Sequence, residues 1–180
     1  QDLDQAVGEL VIPLAAGGTV GVEFHHGYRL LTDTQFDLIC HPHRTYLSIG
    51  ALLKAFGRHG LAISEAAEIT AHGGSVRIYA RRGGAETGAT VERLLTAERA
   101  GGLDGGVGHR RLASQVAMAS AKVRSFLAQA HAEGKTVLGY GAPSRASTLL
   151  NHCQVTTKVL PATVDRSVSK QGWALPGCRV

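Results

Sequence analysis

Residues 134–151 read Gly134-Lys135-Thr136-Val137-Leu138-Gly139-Tyr140-Gly141-Ala142-Pro143-Ser144-Arg145-Ala146-Ser147-Thr148-Leu149-Leu150-Asn151. Thr136 to Tyr140 is a β-rich run that enters a glycine turn, and Ser144 to Asn151 continues as a helix. Val159 to Val164 is a second apolar run, ending at Asp165-Arg166. Strand, glycine turn, helix and strand make a βαβ unit, so the C-terminal part of the chain is expected to be half of a Rossmann-like sheet. Gly139-x-Gly141 with Asp165 ending the next strand has the outline of a dinucleotide fingerprint, weakened because Ser144 stands at the third glycine position.

Upstream of this unit, Leu112, Val116, Ala119, Val123, Phe126, Leu127 and Ala130 follow helical spacing, and Glu133-Gly134 ends that helix. Glycine clusters flank a short helical stretch, Thr90 to Arg99, and residues 84–108 are read as an inter-domain linker. Before the linker, Leu61 to Ile69 and Ser75 to Ala80 are two strands joined at Gly73-Gly74, an arrangement that predicts an antiparallel pair. Ser48 is placed to cap a helix running to Arg58, and Gly60 stops it. Asp4 to Leu14 carries apolar residues at helical spacing, and Thr19 to Phe24 is a strand that ends at His25-His26-Gly27. Tyr28 to Ser48 has no clear period but is dense in reactive side chains.

Composition bounds the partners. The 180 residues include 44% hydrophobic side chains, enough to build a core, and the formal net charge of +5 comes from dispersed Lys and Arg. Dispersed charge suits a phosphate-bearing small substrate better than a nucleic-acid groove, so no nucleic-acid partner is expected. Cys40, Cys153 and Cys178 show no CxxC spacing, and a reducing cytoplasm is the expected compartment. No apolar run reaches the roughly 20 residues needed to span a bilayer, and no membrane partner is expected.

Two stretches carry a family resemblance, and a third lies downstream. Thr34-Gln35-Phe36-Asp37-Leu38-Ile39-Cys40-His41-Pro42-His43-Arg44-Thr45-Tyr46-Leu47-Ser48 is similar to the FD-x-I-Y-H-E-H-x-S-Y-L-S signature of the sugar C-methyltransferases of antibiotic deoxysugar pathways. His72-Gly73-Gly74-Ser75-Val76-Arg77-Ile78-Tyr79 resembles their HGGS-x-R-x-Y strand. The third is residues 134–151 with Val164-Asp165-Arg166 and Lys170-Gln171-Gly172, which resemble their C-terminal domain. The family's Tyr and Glu in the signature are Cys40 and Pro42 here, and Arg145 replaces the usual Lys.

The resemblance implies the C-terminal half of a class I (Rossmann-like) methyltransferase domain over residues 1–83, followed, after the linker, by a second and incomplete Rossmann-like α/β domain over 109–180. The chain is expected to begin at the helix before the fifth methyltransferase strand and to stop inside the last domain. The family's zinc domain and its cofactor loop then lie outside it, and the fragment alone is expected to be inactive. The implied reaction is methyl transfer from S-adenosylmethionine to C3 of a dTDP-linked 4-keto-2,6-dideoxy sugar through a base-generated enolate.

In that reading His43 is the base, because an imidazole titrates near neutral pH, with Tyr46 as donor to the enolate and His41 and His72 as further active-site candidates. Arg77, Ser144, Arg145, Thr148, Asn151 and Lys170 are the expected substrate-binding residues, and Glu23 is a candidate toward the cofactor. Several also have a plainer reading: His43 as a histidine that only hydrogen-bonds the loop, Tyr46 as packing, His72 as a solvent-facing turn residue, Thr148 and Asn151 as ordinary helix residues, and Cys40 as a small buried hydrophobe rather than a nucleophile. His41 and His43, joined by His25, His26 and His72, suggest a metal centre only weakly, since no carboxylate has the local spacing; no metal is expected. Two rival functions stand beside the transferase: an NAD-dependent Rossmann-type oxidoreductase using the Gly139 turn, and a non-catalytic sugar-nucleotide-binding relative.

Overall fold

The computed structural model describes residues 2–40, 43, 45–84 and 86–180. The chain forms two compact units, Gln1–Asp33 with Thr45–His109, and Thr34–Arg44 with Arg110–Val180.

The first unit is a three-stranded antiparallel sheet under helices. Its elements are α1 (Leu3–Val11), β1 (Thr19–His25), α2 (Gly27–Thr32), α3 (Ile49–Arg58), β2 (Leu61–Ile69), β3 (Ser75–Arg82) and α4 (Ala89–Ala100). The strand order is β1-β3-β2, with β3 antiparallel to both neighbours. Alternation along β3 sorts its two faces: Val76, Ile78 and Ala80 are buried, while Arg77, Tyr79 and Arg81 point the other way. The buried face joins Phe24 of β1, Ile63 of β2, Val7 of α1, Leu52 and Phe56 of α3, and Val91 and Leu94 of α4 in one core.

Local chemistry sets the boundaries of these elements. The Ser48 hydroxyl accepts from the Ala51 amide at 3.1 Å and starts α3, as its position before the helix predicts. The chain reverses between β2 and β3 through His72, Gly73 and Gly74, all at positive φ. A Cβ on Gly74 would lie 2.8 Å from Cγ of Arg29, so glycine there meets a steric as well as a conformational demand.

The expected linker is the largest departure from the sequence reading. Residues 84–108 contain α4, whose Val91, Leu94 and Leu95 are buried in the first core, so most of the stretch is structural. Glycine clusters on both sides resemble linker composition, while the apolar face of the intervening helix finds its partners in residues distant in sequence. The supposedly irregular stretch Tyr28 to Ser48 likewise holds most of α2 and a 3-10 turn at Phe36–Leu38.

The second unit contains the 3-10 turn, nearly all of α5 (Val107–Ala132), β4 (Gly139–Tyr140), α6 (Ser144–His152) and β5 (Thr163–Val164). β4 and β5 pair in parallel, the hand-off expected of a βαβ unit. Leu127, Leu150, Cys153, Val155, Leu160 and Leu175 form its core. A second Rossmann-like domain is not shown: among the described residues each predicted strand is two residues long, and the sheet they form has two strands. Val159 and Leu160 instead turn back on Thr156, which accepts from both of their amides, and Leu160 goes into the core.

Candidate active site

The stretch Phe36 to Ile39 of the signature is held in the second unit by one face of α6. Asp37 receives two parallel hydrogen bonds from Arg145, Nε to Oδ2 at 2.8 Å and a terminal nitrogen to Oδ1 at 2.9 Å. Thr148 Oγ1 donates to the Ile39 carbonyl at 3.3 Å, and the Phe36 ring meets His152 edge-on with centroids 5.1 Å apart. Positions 145, 148 and 152 recur at i, i+3 and i+7, so one helical stripe carries all three contacts. Asp37 raises the pKa of the Arg145 guanidinium above its ordinary value, against a smaller effect of burial.

A cavity of about 1230 Å³ opens beside this stripe. Ile39 and Cys40 contribute from the signature, Ser144, Thr148 and Asn151 from α6, and Asp165, Lys170 and Trp173 from the segment that follows β5. The cavity lies at the carboxyl ends of β4 and β5, where open parallel sheets bind ligands, and it exceeds the roughly 300–1,000 Å³ common for small-ligand sites.

Four of the expected substrate-binding residues, Ser144, Thr148, Asn151 and Lys170, thus meet at one cavity. Arg145 is not among its lining residues and is engaged by Asp37. Asn151 Nδ2 donates to the carbonyls of Ser147, at 2.7 Å, and Pro176, at 2.8 Å, so its amide already ties α6 to the C-terminal loop.

Asp165 closes the glycine turn from within the protein. Its Oδ2 accepts from the Ala142 amide at 2.7 Å and its Oδ1 from the Ser167 amide at 2.8 Å, while Lys170 Nζ stands 3.4 Å from Oδ2. The Ser167 amide, then the Ala142 amide and to a smaller degree Lys170, hold its carboxyl below the usual carboxylate range, outweighing desolvation. A dinucleotide fingerprint requires this side chain for a ribose diol. With both oxygens bound by backbone amides, the geometry favours that use of Asp165 little.

His43 is exposed, and its backbone amide donates to the Cys40 carbonyl at 3.0 Å. His41, Pro42 and Arg44 lie outside the described residues. In the first unit, Tyr46 is half-buried, and His72 is exposed at φ 55° in the β2–β3 turn. Glu23 and Arg77 face each other across β1 and β3 and form an ion pair at 2.8 Å on the open side of the sheet. The cofactor and substrate candidates of this unit are therefore engaged with each other. Among the described residues no group of three or more His, Cys, Asp or Glu is placed to hold a metal ion.

Sequence reasoning passed over a buried cluster. His26 and Glu98 are 1% and 4% exposed, and His26 Nε2 lies 2.7 Å from Glu98 Oε1. The same carboxylate accepts from the Ile49 amide at 2.6 Å and the Gly50 amide at 3.1 Å, capping α3 from α4. Nothing local marks Glu98, which reads as one more polar helix position until 72 residues of chain separation close up.

A βαβ unit with a large cavity at its strand ends has the arrangement in which open α/β sheets bind small ligands. A family model, the C-methyltransferase C-terminal domain, matches residues 70–180. The C-methyltransferase NovU of Streptomyces niveus is 34% identical over 181 residues, covering 99% of this chain and 43% of that protein. The chain belongs to the C-methyltransferase family. It spans less than half the length of this curated relative.

Proposed function

We propose that the protein carrying this chain is an S-adenosylmethionine-dependent C-methyltransferase acting at C3 of a dTDP-linked 4-keto-2,6-dideoxy sugar. The observation that carries this reading is the shared cavity: Ile39 and Cys40 of the signature line it together with Ser144, Thr148, Asn151 and Lys170. The signature and the nucleotide-sugar candidates thereby serve one ligand. S-adenosylmethionine supplies the methyl group, and the residues that hold it are not identified in this chain.

The chain's own contribution is proton transfer and orientation. His43 takes the proton from C3, and the electron pair of the C–H bond moves into the enolate. Cys40 stands where the family signature has a Tyr as the alternative base, which leaves the basic role with His43. Three free thiols, Cys40, Cys153 and Cys178, suit a reducing cytoplasm, and among the described residues no helix is long and apolar enough to cross a membrane.

The test follows the C3 proton of the keto-sugar nucleotide in deuterated solvent, together with release of adenosylhomocysteine. Wild-type protein should exchange the proton and release product with the keto sugar, and should do neither when C4 is reduced. His43→Asn should lower exchange by about a hundredfold to ten-thousandfold with binding retained, and Cys40→Ala should leave it largely unchanged. Turnover of the C4-reduced sugar would refute the enolate route, and normal exchange in His43→Asn would refute the base assignment. Nucleotide-sugar binding without exchange in the wild type would favour the non-catalytic relative.

A further inference from the structure

The cavity of the second unit carries an aromatic side chain that the reading above leaves unused. Trp173 is the one tryptophan of the chain and is 82% exposed. Its backbone is anchored: the Trp173 amide donates to the Lys170 carbonyl at 3.3 Å, and Leu175, two residues on, is buried in the core and donates to Val180. A large apolar ring is thus held in water at the lining of a cavity by an ordered loop. Its place at the cavity lining leaves the flat face of the indole free to meet a ligand there.

The charge inside the cavity narrows what that partner is. Among the described residues, Lys170 and Asp165 are the charged side chains of its lining, and they lie 3.4 Å apart. The Ser167 and Ala142 amides and Lys170 keep Asp165 ionised, so it offsets much of the lysine's attraction for an anion. A diphosphate alone therefore meets little net charge here, and affinity for a nucleotide must come largely from its base. Stacking on an indole supplies this, since every base has a flat π face.

We propose that Trp173 is the stacking platform for the nucleobase of the ligand in this cavity, a nucleoside diphosphate sugar. This rests on the reading of the cavity as a nucleotide-sugar site. With the base on Trp173, the sugar is left to the wall carrying Ile39 and Cys40.

As the chain's sole indole, Trp173 also reports its own occupancy. The protein, Trp173→Phe and Trp173→Ala are titrated with thymidine diphosphate and separately with inorganic pyrophosphate, following indole emission in the wild type and heat in all three. Far-UV circular dichroism checks each fold; the exposed position predicts no loss. Thymidine diphosphate should quench the wild-type emission. Trp173→Ala should weaken its binding roughly five- to a hundredfold, Trp173→Phe less, and neither should change the affinity for pyrophosphate. Equal affinity for thymidine diphosphate in wild type and Trp173→Ala would overturn the role of Trp173 while the cavity reading stands. Absence of binding by thymidine diphosphate and by its keto-sugar conjugate would overturn both.

Discussion

Arg145 and Asp37, 108 residues apart, form a two-point ion pair that fastens the family signature to helix α6. The family resemblance implies that Arg145 binds the substrate. In the structure its guanidinium meets a carboxylate within the protein. Conservation of charge between Lys and Arg does not conserve this geometry, since only guanidinium presents two parallel donors.

The pair should behave as a unit. Arg145→Ala and Asp37→Ala are each expected to lower stability by about 0.5–1.5 kcal/mol, a range set by partial exposure, and the double variant should lose little more than either alone. Urea denaturation of the four proteins measures the coupling. Strict additivity would show that the pair contributes nothing, and an Arg145→Ala defect confined to nucleotide-sugar binding would return the residue to the substrate.

Glu98 should be among the most sensitive polar positions of the first unit. Glu98→Ala leaves the Ile49 and Gly50 amides and the His26 ring without their acceptor, with an expected loss of about 3–5 kcal/mol. Glu98→Gln retains one carbonyl oxygen and should lose less. Chemical denaturation compares the two, and a loss below about 1 kcal/mol in Glu98→Ala would show that water satisfies the cluster.

Asp165 sets an acid limit for the second unit. Its carboxyl titrates below the usual range when folded, so the stability it contributes is present above the unfolded pKa and is lost as pH falls through the lower folded value. Melting temperatures from neutral pH to below the carboxylate range should fall less steeply in Asp165→Asn than in wild type. Asp4, lowered first by its Arg58 hydrogen bond, and Glu133, lowered first by Lys135, titrate in the same direction in both proteins, so the difference isolates Asp165. Parallel profiles would remove the two amide contacts from the account.

Local pattern made much of the fold legible. Ser48 before an apolar stripe marked α3, Gly73-Gly74 marked the β2–β3 reversal, and a β-rich run before Gly141 with Ser144 to Asn151 beyond it marked the parallel crossover, because each signal lies within one turn or one strand of its effect. The same logic brought Ser144, Thr148 and Asn151 onto one helix, and their presence at one cavity follows from helical spacing. Tertiary structure alone decided what glycine-flanked α4 buries, that residues 34–44 join the C-terminal unit, that Asp37 takes Arg145, that Glu98 takes His26 and two helix-start amides, and that Trp173 stands in water. These outcomes depend on which donors and acceptors meet after about 50 to 110 residues of intervening chain have folded, and a carboxylate carries no mark in the sequence of the partner it will find. Sequence determines which groups need satisfying; the packing of distant elements determines what satisfies them.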